Sequence, residues 1–384
     1  MSRIPLALKE TVKTSGIAIA RMLGVTFLDK SQTVDLLRPY EQAHHPANQQ
    51  LLDAVHDLID PDLLLFDQQR AESQPTYAWQ FERGTQSATQ LRCGNVKIAG
   101  KVLCTDYGNE HLLRDSLRPG KRPVIEVDTL VAPFGQYQDG IAFGGYYDFI
   151  YLVAAKLSRI RQSLPNGFPA GSVVAYPLFH TSYEQEFLAH LGFQPDQIFD
   201  TRQYDVRFNH CLLGNSGHWF YPNAHDVRAI RDELAPLIQP SPIRERLYIS
   251  RAGRRRVLNE DELTTMLARY DFTVIDDIPR TLSEQVSIYN RASVLVGPHG
   301  ASFSNLIWSQ PGTQLIELFS PNYVPNFFQY LSNLSDLRYA ATRQGQPDPA
   351  RRNDLTENIL IDVSAFERSL NQLFEDEHKH LSFR

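Results

Sequence analysis

The sequence predicts an α/β protein whose second half is a parallel sheet covered by helices on both faces. Three observations carry that expectation. Strand-like and helix-like segments alternate strictly from Arg246 to Thr342. The strand-like runs, such as Val294-Leu295-Val296 and Leu315-Ile316, are continuously apolar, as strands buried on both faces are. Helix-start patterns, Asn259 with Glu262 and Thr281 with Glu284, fall just after or between such runs.

Residues 1 to about 90 are polar and irregular, with Gln-rich patches, and read as an N-terminal extension with one helix over 48–59. Asp60-Pro61-Asp62 formally matches an acidic metal motif but reads as a turn at its proline. Residues 91–240 read as a first α/β domain. Short strands at 96–98 and 101–103 lead to a helix over 146–160 and a buried strand at 172–176. A helix over 183–191, a strand at 197–199 and a helix over 225–237 complete it. Pro240-Ser241-Pro242 marks a linker. Residues 241–345 form the second domain, with strands at 246–250, 272–276, 293–297, 314–319 and 338–342. Helices over 260–270, 282–291, 301–308 and 325–335 alternate with them. A C-terminal segment, 346–384, contains a last amphipathic helix over 363–374.

At 384 residues, 42% of them apolar, the chain is long enough for two domains with cores of their own. A net charge of −6 argues against a dedicated nucleic-acid binder. Cys93, Cys104 and Cys211 are few, odd in number and unpatterned. That points away from a disulfide framework or a zinc site and toward a reducing, cytoplasmic compartment. No run approaches the ~20 apolar residues of a membrane helix. The segment 15–28, with Lys9 and Lys13 ahead of it, is interrupted by Arg21 and has no cleavage pattern. It reads as a short packing helix, with a peripheral membrane contact as the alternative.

Two loops carry the chemistry. Val294-Leu295-Val296 runs into Gly297-Pro298-His299-Gly300-Ala301 and then a short helix. A strand feeding small residues at a helix N-terminus makes an anion site, because the first helical amides lack partners and the helix dipole favours negative charge. The second loop follows Leu247-Tyr248-Ile249. Arginines at 244, 246, 251, 254, 255 and 256 put six guanidiniums into thirteen residues of an acidic chain. Those from Arg251 onward lie at a strand's carboxyl end, where open α/β sheets bind ligands, and a guanidinium fork suits phosphate oxygens. The cluster therefore fits a small phosphorylated ligand.

Tyr248-Ile249-Ser250-Arg251, Arg255-Arg256-Val257-Leu258-Asn259-Glu260, Glu284-Gln285 and Gly297-Pro298-His299-Gly300-Ala301, in this order and spacing, resemble glycosyltransferase family 61. The resemblance spans 247–319. It implies an inverting enzyme of GT-B architecture, two Rossmann-like domains that use a nucleotide sugar in polysaccharide, capsule or glycan assembly. Under that reading no cofactor or metal is needed. Arg251, Arg255, Arg256, Gly300, Ala301 and Asn305 would hold the diphosphate of a UDP-linked donor, with His299 at the reacting centre. Glu317, near the end of the next strand, would accept from ribose hydroxyls or else orient a nearby loop. The N-terminal half departs from the family pattern, since Gly145-Tyr146-Tyr147-Asp148 replaces an Asn, two aromatics and a His. Asp148 then becomes the candidate general base, expected to face the arginines across an interdomain cleft, with His180 and His218 in reserve. The alternatives are a catalytically silent nucleotide-sugar-binding protein, or another enzyme of the same shape such as a nucleotide-sugar epimerase.

Overall fold

The computed structural model describes residues 16–106, 122–135 and 145–382; Lys9 and Lys13 lie outside them. The chain forms two compact units, each drawing on separated stretches of sequence. Residues 1–48 and 73–233 make the first, and residues 49–72 and 234–384 make the second. The stretch expected as an extension is thus divided between them.

In the second unit five strands run parallel, in the spatial order Phe272–Ile275, Glu245–Ile249, Ala292–Pro298, Gln314–Phe319, Arg338–Arg343. Every residue of Gln314–Phe319 is buried, as its continuous apolar pattern requires. Helices Glu260–Ala268, Leu282–Arg291 and Phe327–Leu334 lie close to their expected bounds. Thr281 and Glu284 form the capping box, each bonding the other's backbone amide. Asn259 is the N-cap residue of Glu260–Ala268 and donates to the Glu262 carboxylate, but its side chain accepts from no helix amide. Its amide instead clamps the backbone of Ile361, accepting from the nitrogen and donating to the oxygen. That ties the arginine loop to the chain entering the last helix, Val363–Ser382.

One expectation about this unit is corrected. The segment 48–59 is not helical, because Gln49–Leu52 pairs antiparallel with Gln69–Glu72. Asn333 also donates to the Gln50 side chain and the Leu51 carbonyl, so tertiary partners override a weak helical pattern. The short helix expected over 301–308 is present with those bounds, Ala301–Trp308, and is of the 3₁₀ type. Asp60 does sit in a turn, its carbonyl accepting from the Leu63 amide.

The first unit holds a mixed sheet of ten strands among the described residues. Val124–Ala132, Val173–Tyr176 and Ile198–Asp200 pair in parallel, and Asp205–Gly214 joins them on the other side. Thr76–Glu82 and Ala88–Gln90 pair antiparallel with Asp205–Gly214, so this sheet is only partly parallel. The ten-residue strand Asp205–Gly214 was not expected. Its first part alternates polar and apolar residues, with Val206 and Phe208 buried, as a strand with one covered face does; its last four residues, Cys211 to Gly214, are all buried. The helix after Gly145 contains a π-helical stretch, Phe149–Ala154, before resuming as Ala155–Gln162. Buried ion pairs pin it: Lys156 to Asp106 at 2.6 Å and Arg159 to Asp226 at 2.5 Å.

Beside that second pair, the rings of His45 and His225 stack with centroids 3.3 Å apart. Burial, then the neighbouring His225 and Arg159, pull the His45 pKa down to about 4, and burial lowers His225 as well. Because the folded pKa lies below the unfolded one, the unfolded chain takes up the proton first. Stability should therefore fall as pH drops from about 6.5 to about 4. His45→Gln should flatten that slope, read as the thermal midpoint against pH.

The helix before Thr26 covers 16–22, with Ile19, Met22 and nearby Leu23 exposed. No helix among the described residues is long and apolar enough to cross a membrane.

Candidate active site

In the second unit the chain runs first through Glu245–Ile249, crosses to one neighbour, Phe272–Ile275, and returns to the other, Ala292–Pro298. The sheet's order reverses between Glu245–Ile249 and Ala292–Pro298. Open α/β sheets bind ligands at the carboxyl ends flanking such a reversal. Arg251 follows the first of these strands and His299-Gly300 the second.

The guanidiniums converge there. Arg251 Nη1 and Arg255 Nε both donate to the carbonyl oxygen of His299, each at 3.1 Å. Arg251 Nε donates to the Arg254 carbonyl at 2.6 Å, and Arg255 Nη1 to that of Leu355 at 2.8 Å. Neither forms an ion pair with a carboxylate among the described residues. Arg255 is buried, with φ of +60°, and its guanidinium lies 5.3 Å from the Tyr323 ring centre. Burial, followed by the like charges of Arg251 and Arg254, pulls its pKa down to about 10 and lowers Arg251 too. Both stay charged near neutral pH.

Two glycines make this approach feasible. A Cβ on Gly297 would lie 2.8 Å from the Ile249 carbonyl oxygen, so only glycine lets the two strands close at the reversal. A Cβ on Gly300 would fall 1.7 Å from Arg251 Nη1, inside the guanidinium itself. The amides of the 3₁₀ run begin immediately after Gly300.

Behind the arginines, His299 Nδ1 lies 2.5 Å from Glu317 Oε1, and the Tyr339 hydroxyl donates to Glu317 Oε2 at 2.6 Å. Glu317 is fully buried, with both oxygens engaged inside the protein. Of its two expected roles, these contacts match the orienting one, directed at His299 in the loop after Ala292–Pro298, rather than the ribose contact. A carboxyl on Nδ1 selects the tautomer that leaves the Nε2 lone pair outward from that bond. Burial, reinforced by Arg255 and Arg251 and opposed by Glu317, lowers the His299 pKa, so the ring is neutral at physiological pH. Tyr323, Phe319 and Phe328 pack around it, with ring centres 5.1–5.5 Å away. Glu317→Ala strands both the Tyr339 hydroxyl and His299 Nδ1. At about 1–3 kcal/mol for each buried group left unbonded, it should cost about 2–6 kcal/mol in urea unfolding. Glu317→Gln, which keeps an acceptor, should cost less.

The remaining expected residues divide. Ala301 opens the 3₁₀ run. Asn305 is fully buried and donates to the Gln285 side chain at 3.3 Å, bracing that run against helix Leu282–Arg291. Arg256 is exposed, and its backbone pairs with Asn358 and Ile359. Tyr323 and Tyr339 carry no motif that could have flagged them; only the fold brings them to His299 and Glu317.

In the first unit Asp148 is buried and accepts from the Trp219 indole at 2.9 Å. His218 Nδ1 accepts from the Phe220 and Tyr221 amides, which engages it in its own turn. His180 has the left-handed φ of +57°, its ring is 56% exposed, and Nε2 lies 2.9 Å from buried Asp200, which Arg202 also binds.

Comparison with known proteins adds two findings. The EGF domain-specific O-linked N-acetylglucosamine transferase of Drosophila melanogaster is 31% identical over 101 residues, which is 25% of this chain and 19% of that protein. The chain thus spans about a fifth of that relative's length. The family model described as Glycosyltransferase 61 matches from Asp148 to Ile316, taking in the arginine loop and the Gly297–Ala301 turn, and so residues 148–316 of this chain are a glycosyltransferase 61 domain.

Proposed function

We propose that this protein is an inverting glycosyltransferase moving a sugar from a nucleoside-diphosphate donor to a glycan or polysaccharide acceptor. The observation that carries the reading is the convergence of Arg251 and Arg255 on one carbonyl at the strand-order reversal. Two guanidiniums without carboxylate partners are the charge a leaving diphosphate needs, and the amides after Gly300 add to it. His299, neutral and oriented by Glu317, presents a further polar atom to that centre. Asp148 serves as the general base on the acceptor side. The relative named above transfers N-acetylglucosamine, so UDP-N-acetylglucosamine is the first donor to test.

Because arginines meet the diphosphate charge, UDP should bind with undiminished affinity when divalent cations are chelated. Calorimetric titration with UDP in EDTA measures this, and loss of binding under chelation would overturn the metal-independent reading. A second reading, binding without turnover, draws support from the burial of Asp148 beneath the Trp219 indole. Incubation with labelled nucleotide sugars separates the two, since transfer or slow donor hydrolysis requires a working centre.

A further inference from the structure

A cavity of about 610 Å³ opens between residues 321–324 and 343–353 of the second unit. We propose that it is a binding subsite for a sugar ring bearing a carboxylate, a hexuronate, next to the diphosphate centre; the substrate role rests on the glycosyltransferase reading above. Its size lies in the range of small-ligand sites. Arg343 ends the strand Arg338–Arg343, so it stands on the sheet's ligand-binding edge. Its Nε is buried without a hydrogen-bond partner.

The charges around the cavity are unequal in a telling way. Arg351, nearby, is paired with Asp354 and Glu357. Arg343 and Arg352, which line the cavity, form no ion pair among the described residues. Asp348 also lines it, but its Oδ1 accepts from the Ala350 amide and holds the loop's shape. Two unpaired guanidiniums against one engaged carboxylate suit a monoanion better than a phosphate dianion. A guanidinium fork matches a planar carboxylate in two parallel hydrogen bonds. The proline faces of Pro321, Pro347 and Pro349 provide the flat apolar wall that a sugar's C–H face covers.

The subsite is built in advance. Asn322 Oδ1 accepts from the Asp348 amide at 2.7 Å and its carbonyl from the Asn353 amide at 2.9 Å. Glu357 in turn fixes Asn322 through its backbone and side-chain nitrogens. Tyr323, between two lining residues, has its ring 5.3 Å from that of His299, so the cavity adjoins the proposed reacting centre.

The test uses the full chain and titrations followed by NMR, with methyl β-glucuronide and its neutral counterpart methyl β-glucoside as probes. The glucuronide should bind roughly tenfold more tightly, and Arg343→Gln or Arg352→Gln should each remove most of that preference. Arg343→Lys should retain part of it. UDP affinity and the thermal midpoint should stay unchanged in these variants, whereas Arg251→Ala should lose UDP and keep the glucuronide. If UDP-glucuronate outcompetes UDP-glucose, the uronate is on the donor; if the two bind alike while glucuronide binds alongside UDP, it is on the acceptor. Equal or absent binding of the two glycosides would overturn the proposal, as would a loss of UDP binding in Arg343→Gln matching that in Arg251→Ala. Failure of UDP to bind at all, with the glucuronide preference intact, would overturn the glycosyltransferase reading and leave the uronate subsite standing.

Discussion

Asp148→Asn should leave UDP affinity nearly intact while lowering transfer by roughly 10²–10⁴-fold, the usual contribution of a positioned base. The substitution is chosen for its shape. Asparagine still offers an oxygen to the Trp219 indole, so the bond at 2.9 Å and the local packing persist. Only the capacity to take a proton is lost. The measurement is turnover at saturating donor, paired with UDP titration to separate chemistry from binding. His180→Asn is the matched comparison, because His180 pairs an exposed ring with buried Asp200 on a strained backbone. A large fall with His180→Asn and a small one with Asp148→Asn would transfer the base role to His180.

Gly300→Ala should reproduce the donor-binding defect of Arg251→Ala without touching an arginine. The added methyl would stand 1.7 Å from Arg251 Nη1, and φ of −175° at Gly300 lets alanine adopt the backbone without strain. The flexible guanidinium must therefore leave, breaking its bond to the His299 carbonyl. Charged hydrogen bonds to a diphosphate are worth ~1.5–3 kcal/mol each, so UDP affinity should fall on the order of tenfold or more in either variant. Arg254→Ala should matter far less, since the structure uses the carbonyl of Arg254 rather than its side chain. The double variant Gly300→Ala/Arg251→Ala should be little worse than either single one, because both remove the same contact. Equal, small effects at Gly300, Arg251 and Arg254 would reduce the cluster to a solvated loop.

The parallel sheet of the second unit was legible in the sequence because its strands are buried on both faces. Continuous apolar runs such as Leu247–Ile249 and Val294–Val296 leave few other readings, and caps such as Thr281 mark the helices between them. The loops of the candidate site were legible for a similar reason: small residues and arginines at strand ends are local features. The strand Asp205–Gly214 was overlooked although Val206 and Phe208 alternate with polar residues as a half-buried strand does; its place between two neighbouring strands is what the sequence does not contain. The same holds for 49–52, where pairing with Gln69–Glu72 decides against a helix.

By itself the sequence determined that arginines and a His-Gly turn sit at the ends of parallel strands. Tertiary structure alone decided which of them meet. Arg255 turns inward through a left-handed backbone while its neighbour Arg256 stays exposed, a choice set by how the loop is tied to 355–361. Glu317 was readable as an acidic residue near a strand end, but not as the partner of His299, because Tyr339 comes from the next strand in the sheet. Residue type and local period are properties of short windows of chain. The pairing of a carboxyl with one histidine rather than a ribose depends on strand order, which no short window contains.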